Sequence, residues 1–322
     1  MISLLCLAGM GVFYFFPENT VYKVTLVYAV SSGSLLILTT KLRAASQFNQ
    51  LFYFLVAQSI VLAILVTTST LFLDLSPWLM IGSVAISTFI CLFYYLIRGK
   101  KTLWRIIQTK LDKDLAQSFL LYGMPFILVS VSNIVISTNG QFMLKLLGYD
   151  DEVGAYAANY NIGEKAVFLW LSLLVMVNVP KIYQAYESSG SLVAWLIIKR
   201  CMAMLSLCGA ILFVLTFFWS RELSEVFASE EISRIGHWII PATVVSAVLL
   251  GFCSFLAEPL LLVKESGTVA ICYISSAILS VGLGYFLISE LGLLGAVINP
   301  IVTNTFFMIL LFFNIRKSDV FN

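Results

Sequence analysis

The sequence predicts an all-α polytopic membrane protein, a helix bundle of about ten transmembrane helices in two lobes of four plus six. Of its 322 residues, 60% are hydrophobic and only 11% are charged, and the mean hydropathy is +0.98. Soluble domains carry about 25% charged residues because they need a wetted surface, so a soluble globule and a disordered chain are both excluded. The apolar runs lack the polar alternation of membrane barrel strands, and we therefore expect helices.

Four apolar runs predict an N-terminal lobe over residues 1–97. Because a membrane-spanning helix needs about 20 apolar residues, the predicted spans are 2–16, 21–40, 48–73 and 78–97. The first span has only 15 residues, no basic residue before it, and neither the charged start nor the cleavage site of a signal peptide. We therefore expect this helix to begin upstream, in a longer protein of which this chain is a truncated or mis-started version.

Residues 98–117 predict an amphipathic cytoplasmic connector between the lobes. Leu103, Ile107, Leu111 and Leu115 recur every four residues, with lysine, arginine and aspartate residues between them. A basic amphipathic helix of this kind suits the headgroup layer of the inner leaflet. It either follows the relative movement of the two lobes or forms a passive surface helix, and the sequence leaves both interpretations open.

Six further apolar runs predict a C-terminal lobe over residues 118–322, with spans at 119–147, 160–179, 202–219, 237–263, 269–288 and 291–315.

Basic residues are concentrated in every second loop between the predicted spans. Fourteen of the nineteen lysines and arginines fall on the side of both termini and four on the other side, where acidic residues cluster. The positive-inside rule therefore places both termini in the cytoplasm. The longest outer loop is predicted at about residues 220–236.

Residue usage argues against several classes of site. Cysteine occurs six times, always in apolar stretches, which indicates small buried residues rather than disulfides or metal ligands: Cys6, Cys91, Cys201, Cys208, Cys253 and Cys272. The single histidine, His237, is expected to be a hydrated residue at the outer interface. Acidic residues do not cluster within spans, so we expect no metal, no cofactor and no enzymatic reaction. The net charge of +2 does not indicate nucleic-acid binding.

Five short motifs follow one another across residues 118–200. They are Tyr-Gly-Met-Pro at 122–125, Ser-Asn-Ile-Val-Ile-Ser-Thr at 132–138, Val-Gly-Ala-Tyr at 153–156, Asn-Tyr-Asn-Ile-Gly at 159–163 and Val-Pro-Lys-Ile at 179–182. In their order and spacing, the chain resembles the polysaccharide transporter branch of the multidrug/oligosaccharidyl-lipid/polysaccharide (MOP) exporter superfamily. The best-known members of that branch are the O-antigen flippases.

The resemblance implies a fold, a mechanism and a substrate. Relatives of this kind have about twelve helices in two six-helix lobes, so this chain would lack the first two. Their two lobes rock about a central cavity, and their substrate is an oligosaccharide linked to a polyprenyl diphosphate. Many relatives also carry an Asp-Arg pair where this chain has Gly140 and Gln141, so the role of that pair is not transferred.

Ionisable residues inside spans are the candidate functional residues, because charge is costly in lipid. Lys165 shares a helical face with Asn161, Phe168 and Ser172. On that face, its ammonium would attract the diphosphate of the implied substrate. The alternatives are that Lys165 snorkels to the outer interface or pairs with a carboxylate of a neighbouring helix. Adjacent residues point about 100° apart, so Glu164 is not the expected partner.

Uncharged polar residues recur along the fifth span. Asn133, Ser137 and Gln141 are spaced by four residues and predict a polar line on one side of the helix. The resemblance implies that this helix lines the passage, so the three residues and Asn161 are predicted to bind sugar hydroxyls. Hydrogen bonding between helices is the alternative interpretation.

Two acidic residues inside spans are the candidate residues for ion coupling. Glu164 lies in the sixth span, and Glu258 lies in the eighth, immediately before Pro259. Glu258 is also only a short distance along the chain from Lys264 at the predicted cytoplasmic edge. A hydrated carboxylate at that edge is therefore the alternative interpretation, and the one that we favour for Glu258.

The leading hypothesis is a flippase that moves a lipid-linked oligosaccharide, such as an O-antigen unit, across the bacterial inner membrane. Its expected partners are that substrate, membrane lipids and other polysaccharide assembly proteins, with no nucleic acid. A drug/cation antiporter is the alternative, although residues 1–97 contain only Glu18 and Asp74 as acids, both in outer loops. A polysaccharide polymerase is a third hypothesis. Such an enzyme would need a large outer loop that carries catalytic residues.

Overall fold

The structure, a computed structural model, describes residues 48–72, 82–84, 86–90 and 113–318. The chain divides into two compact units, residues 1–111 and 112–322. In the first unit, helix α1 covers Phe48–Phe72, and residues 82–84 and 86–90 are also helical. The Gln58 amide donates a hydrogen bond of 3.1 Å to the Thr88 hydroxyl, which joins these two parts. The predicted spans at 2–16 and 21–40 and most of the predicted connector lie outside the described residues.

The second unit consists of seven described helices. They are α2 (Lys113–Leu146), α3 (Asp150–Ser189), α4 (Ser191–Phe227), α5 (Glu230–Gly236), α6 (Ile239–Leu262), α7 (Ser266–Leu291) and α8 (Leu293–Lys317). Among the described residues there is no strand, which confirms the all-α prediction. Six of these helices, all but α5, are long and apolar enough to cross a membrane. Each of the six overlaps one predicted span, whereas the total of ten stays a prediction.

Helices α3 and α4 are much longer than the spans predicted inside them. Helix α3 has 40 residues and α4 has 37, so α3 extends about 60 Å at 1.5 Å per residue. Acidic residues in the first turn of α3, Asp150 and Asp151 among them, suit the positive end of the helix dipole. The helix ends where Gly190 adopts a φ of +87°, a conformation that glycine accepts without steric cost. Helix α2 likewise begins at Lys113, inside the predicted connector.

The predicted outer loop at residues 220–236 is mostly helical, while its place outside the membrane stays a prediction. Helix α4 continues through Trp219, where the backbone kinks (φ −111°, ψ 19°), and ends at Phe227. Helix α5 then starts after Ser229, whose hydroxyl accepts a hydrogen bond from the Ile232 amide. Exposed ion pairs four residues apart, such as Arg221 with Glu225 at 2.8 Å, also favour the helical conformation of these polar residues.

The helices of the second unit pack around α6 and α7. Helix α7 lies against α2 and α8, and α6 lies against α3, α4 and α8. Large apolar side chains nevertheless face outward, as on α4, where Leu196, Leu207 and Phe218 are 63%, 64% and 70% exposed. Contiguous apolar surface of this extent is rare on soluble proteins and suits contact with lipid. The arrangement is that of a multi-pass membrane protein.

Candidate functional site

One face of α3 presents the residues that the helical period predicted to lie together. Asn161, Lys165, Phe168 and Ser172 are all exposed on the second unit. Asn161 donates a hydrogen bond of 2.7 Å to the Ala157 carbonyl, and Ser172 donates one of 2.9 Å to the Leu169 carbonyl. Both side chains thus bond within their own helix and leave acceptor oxygens on this face. We call these four residues the α3 polar face.

Lys165 forms an ion pair with Glu164, which was not its expected partner. The Lys165 Nζ lies 2.9 Å from the Glu164 Oε2, and 5.8 Å from the centre of the Phe168 ring. Although adjacent Cβ atoms point about 100° apart, the four-carbon lysine side chain is long enough to turn back to its neighbour. Of the two side chains, Lys165 is 67% exposed and Glu164 is 19% exposed.

Glu164 borders the polar interior of the second unit. Two buried tyrosines, Tyr160 and Tyr156, lie one and two turns before it on α3, with their ring centres 5.3 Å apart. The Tyr156 hydroxyl donates a hydrogen bond of 3.2 Å to the Ala296 carbonyl of α8. The ion pair therefore lies between the exposed α3 polar face, which includes Lys165, and a buried stretch of the same helix.

The predicted polar line on α2 is present but is only half-buried. Asn133, Ser137 and Gln141 are each partly covered, while the exposed positions beside them, such as Ile134 and Phe142, are apolar. Ser137 donates its hydrogen bond, 3.1 Å long, to the Ile134 carbonyl within the same helix. None of the three polar side chains forms a described hydrogen bond with Asn161, Glu164 or Lys165. The structure thus brings the four α3 residues together on one helical face and places the polar line on a different helix, α2.

A buried hydrogen-bonded seam, which was not predicted from the sequence, joins α2, α7 and α8. The Asn139 amide of α2 donates to the Ser280 carbonyl (2.7 Å) and hydroxyl (3.2 Å) of α7. From α8, the Asn299 amide donates to the same hydroxyl at 3.3 Å, and Thr303 donates to Asn299. Gly284 makes room for this seam, because a Cβ there would press against the side chains of Asn139 and Asn299. The spacing of Asn299 and Thr303 by four residues was the available signal.

A second buried contact connects α8 to α6. The Asn304 amide donates to both the carbonyl and the hydroxyl of Ser246, each at 3.1 Å. The Asn304 Oδ1 is buried and has no hydrogen-bond partner among the described residues. Uncharged polar groups therefore join α8 to both of the helices that it packs against, α6 and α7.

Glu258 is half-buried on α6, and its Oε2 is buried without a hydrogen-bond partner among the described residues. Helix α3 packs against α6, and proximity to Lys264 along the sequence does not reveal what a neighbouring helix covers. The hydrated carboxylate at the membrane edge that we favoured for Glu258 stays a prediction.

A search of the described residues finds no group of three or more histidine, cysteine or acidic side chains that could hold a metal ion. The polar groups at the α3 polar face and beside it are the Lys165–Glu164 ion pair, the Asn161 amide and the Ser172 hydroxyl. These groups can bind anions and sugar hydroxyls, or bind a cation through carboxylate oxygens.

Comparison with solved structures identifies the fold. The outward-facing conformation of a multidrug resistance MATE family transporter of the MOP superfamily matches with a TM-score of 0.75 over 98% of this chain and 76% of that chain. This chain has the MATE transporter fold. Similar matches are MATE in complex with MaD3S, with a TM-score of 0.75, and MATE in the straight conformation, with a TM-score of 0.73.

The likeness to MATE structures is one of fold, because sequence identity is only 13–14% in these three matches. The match to MATE in complex with MaD3S covers 98% of this chain and 76% of the matched chain. The match to MATE in the straight conformation covers 98% of this chain and 77% of the matched chain. No family model matches the sequence. No curated protein matches it either.

Proposed function

We propose that the chain is an alternating-access membrane transporter that moves a polyprenyl-diphosphate-linked oligosaccharide from the inner to the outer leaflet of a bacterial inner membrane. The MATE fold supports transport by alternating access, and the α3 polar face supports an anionic, sugar-bearing substrate. No bond is formed or broken in such a movement, so the protein is not an enzyme. Both termini lie in the cytoplasm in this proposal, as the distribution of basic residues predicts.

The observation that supports this substrate is the exposed ammonium of Lys165 within an apolar membrane helix. A charge at such a position needs water or an ionic partner, because hydrocarbon does not solvate it. The described ionic partner of Lys165 is the single Glu164 carboxylate, 2.9 Å from the ammonium. A diphosphate offers more negative charge and more acceptor oxygens than one carboxylate, and charge-assisted hydrogen bonds to it are strong. The diphosphate can therefore displace Glu164 from Lys165.

The same ion pair could couple the binding of an ion to the binding of the substrate. The Glu164 carboxylate competes with the diphosphate for the Lys165 ammonium. A cation that binds Glu164 would free the ammonium for the substrate and offset the repulsive charge beside it. Cation binding and substrate binding would therefore favour each other, which is the reciprocity that coupled transport requires. Glu258 is a second candidate coupling residue, because its carboxyl is also partly buried between α3 and α6.

Sugar hydroxyls would bind to the uncharged polar groups. Asn161 lies one helical turn before Lys165 on the α3 polar face, so it would meet the sugar nearest to the diphosphate. Asn133, Ser137 and Gln141 of α2 are half-buried and would meet sugars further along the oligosaccharide. Hydrogen bonds from amides and hydroxyls can orient sugars without any acid or base chemistry.

The test of the proposed function changes the charge at Lys165 while keeping its length. In a strain that lacks its own flippase, Lys165→Arg should retain most surface polysaccharide, whereas Lys165→Met should lose most of it at equal membrane abundance. Methionine preserves the apolar part of the side chain, so the comparison isolates the ammonium. Lys145→Met is the matched control, because it removes an exposed lysine at the end of α2, away from the α3 polar face.

Three outcomes of this experiment have different meanings. Loss of polysaccharide with Lys165→Met alone supports recognition of an anionic head group. Loss of protein together with transport would indicate a structural ion pair, because Glu164 would be left without its partner. Normal export by Lys165→Met would remove Lys165 from the site.

A drug/cation antiporter is the second candidate function. The solved structures of this fold include a multidrug resistance transporter, and Glu164 and Glu258 are half-buried carboxylates that a cation or proton could neutralise. Such a carrier would confer drug resistance that is lost with Glu164→Gln or Glu258→Gln, and it would not restore surface polysaccharide. Measuring both phenotypes in the same strain distinguishes the two functions.

A further inference from the structure

A groove with apolar walls runs along the exterior of the second unit between α4 and α8. Both helices pack on α6, which forms its floor through the buried Leu256. Trp195 and Met202 of α4 form one wall, and Met308 and Phe313 of α8 form the other. The cavity has a volume of about 580 Å³, within the range of about 300–1,000 Å³ that is typical of small-molecule sites.

Two exposed cations border this groove, and each lies against an aromatic ring that lines it. The Lys199 Nζ lies 5.5 Å from the centre of the Trp195 ring, and the Arg316 guanidinium carbon lies 4.6 Å from the centre of the Phe312 ring. Neither cation forms an ion pair with another described residue. No carboxylate lines the groove. Its electrostatic character is therefore positive, beside walls that are apolar.

We infer that this groove binds an anionic phospholipid of the membrane, with an acyl chain between α4 and α8 and the phosphate at Lys199 and Arg316. An apolar groove that opens to the exterior of a membrane helix bundle is filled by lipid. The two cations add a preference for a negatively charged head group, as basic residues near the membrane surface do. Flexible methionines on both walls adapt to an irregular acyl chain.

The position of the groove along the helices agrees with this occupant. Lys199 lies in the early part of α4, and Arg316 lies in the last turn of α8. From the distribution of basic residues, we predict that these two helix ends face the cytoplasm, where the leaflet carries anionic lipids. The groove residues lie on α4, α6 and α8 and exclude the α3 polar face, so lipid binding here is independent of the transported substrate.

Lipid retention by the purified full-length chain tests the inference. The protein, in detergent, is given equal concentrations of phosphatidylglycerol and phosphatidylcholine, and bound lipid is counted by native mass spectrometry. We expect one phosphatidylglycerol to be retained in preference to phosphatidylcholine. Lys199→Gln combined with Arg316→Gln should weaken that retention by about fivefold for each cation removed. Arg200→Gln combined with Lys317→Gln is the matched control, since it removes two adjacent exposed charges that do not border the groove.

Fluorescence quenching tests the location of the lipid with the native charges in place. Phosphatidylglycerol with brominated acyl chains should quench wild-type fluorescence more than that of Trp195→Phe, because Trp195 lines the groove. This measurement does not depend on recovering the double charge variant. Quenching that is the same with and without Trp195 would overturn the inference.

Three retention results would also overturn the inference. Equal retention of the two phospholipids by the wild-type chain would describe an ordinary lipid-facing surface. Unchanged retention by the Lys199 and Arg316 variant would remove the proposed phosphate contacts. Preference for a polyprenyl phosphate over phosphatidylglycerol, at equal concentration, would assign the groove to the isoprenoid lipid instead.

Discussion

At the scale of single residues, helical periodicity predicts which positions share a face, but it does not predict where a long side chain ends. Asn161, Lys165, Phe168 and Ser172 lie on one exposed face as expected, because Cα positions on a helix are fixed by its geometry. The Lys165–Glu164 pair was missed because lysine has a flexible stem that reaches beyond the direction of its own Cβ. The direction of the Cβ atom therefore predicts the position of a short side chain better than it predicts the position of a lysine ammonium.

A glycine beside the ion pair fixes the distance between α3 and α6. An alanine Cβ at Gly163 would lie 2.6 Å from the Ile240 carbonyl oxygen and 2.9 Å from the Thr243 Cβ, so the helices would have to separate. We expect Gly163→Ala to destabilise the protein by about 1–3 kcal/mol. Thermal unfolding of the detergent-solubilised protein, followed by fluorescence, measures this effect.

Gly154 offers a matched control on the same helix. A Cβ at Gly154 would meet no atom within 4 Å, and alanine favours a helix over glycine by about 1 kcal/mol. Gly154→Ala should therefore leave the unfolding temperature unchanged or raise it slightly. Equal stability of the two variants would contradict the close approach of α3 and α6 at Gly163.

At the scale of helices, the sequence predicts the apolar segments well and their polar contacts poorly. Each long helix of the second unit overlaps a predicted span, because hydropathy directly marks the segment that lipid surrounds. The seam of Asn139, Ser280 and Asn299 was not predicted, because its residues are uncharged and come from three different helices. Uncharged amides cost less to bury than charges, so they stand out less in an apolar run, and only packing shows which of them face one another.

The seam predicts a specific stability effect at the contact between α2 and α7. Asn139→Ala removes both hydrogen bonds to Ser280, and hydrogen bonds between membrane helices contribute about 0.6–1.7 kcal/mol. We expect the unfolding temperature in detergent to fall by a few degrees. Thr138→Ala is the control, because the Thr138 hydroxyl is exposed and bonds only to the Ile134 carbonyl of its own helix. If both variants unfold alike, the seam does not stabilise the contact between these helices.

At the scale of the whole molecule, the predicted helical membrane fold is confirmed, while the predicted helix ends differ from the observed ones. Helix α3 is the clearest case, since hydropathy predicts 160–179 and the helix covers Asp150–Ser189. Hydropathy measures transfer into lipid, and a helix continues into water wherever its backbone hydrogen bonds and end interactions remain favourable. The same physics explains why residues 220–236, which lie outside the predicted spans, are largely helical.

The length of α3 makes the membrane orientation directly testable. A helix of 40 residues is about 60 Å long, twice the thickness of the hydrocarbon layer, so its two ends must lie on opposite sides of the membrane. Because basic residues concentrate on the side of Ser188, we expect Asp151→Cys to react with an impermeant thiol reagent in intact cells. Ser188→Cys should react only after permeabilisation. Ser229→Cys, between α4 and α5, should behave like Asp151→Cys, because α4 crosses the membrane once more.

All six native cysteines are first replaced by alanine in this experiment, so that only the introduced thiol can react. Cys201, Cys253 and Cys272 are buried, and small apolar replacements at such positions keep most of the packing. Labelling of all three introduced cysteines in intact cells would mean that the membrane is leaky, and a permeability control detects this. Labelling of Ser188→Cys alone in sealed cells would show that the orientation is the opposite of the predicted one. The exposed ammonium of Lys165 would then lie nearer the cytoplasmic leaflet, where a lipid-linked oligosaccharide enters rather than leaves.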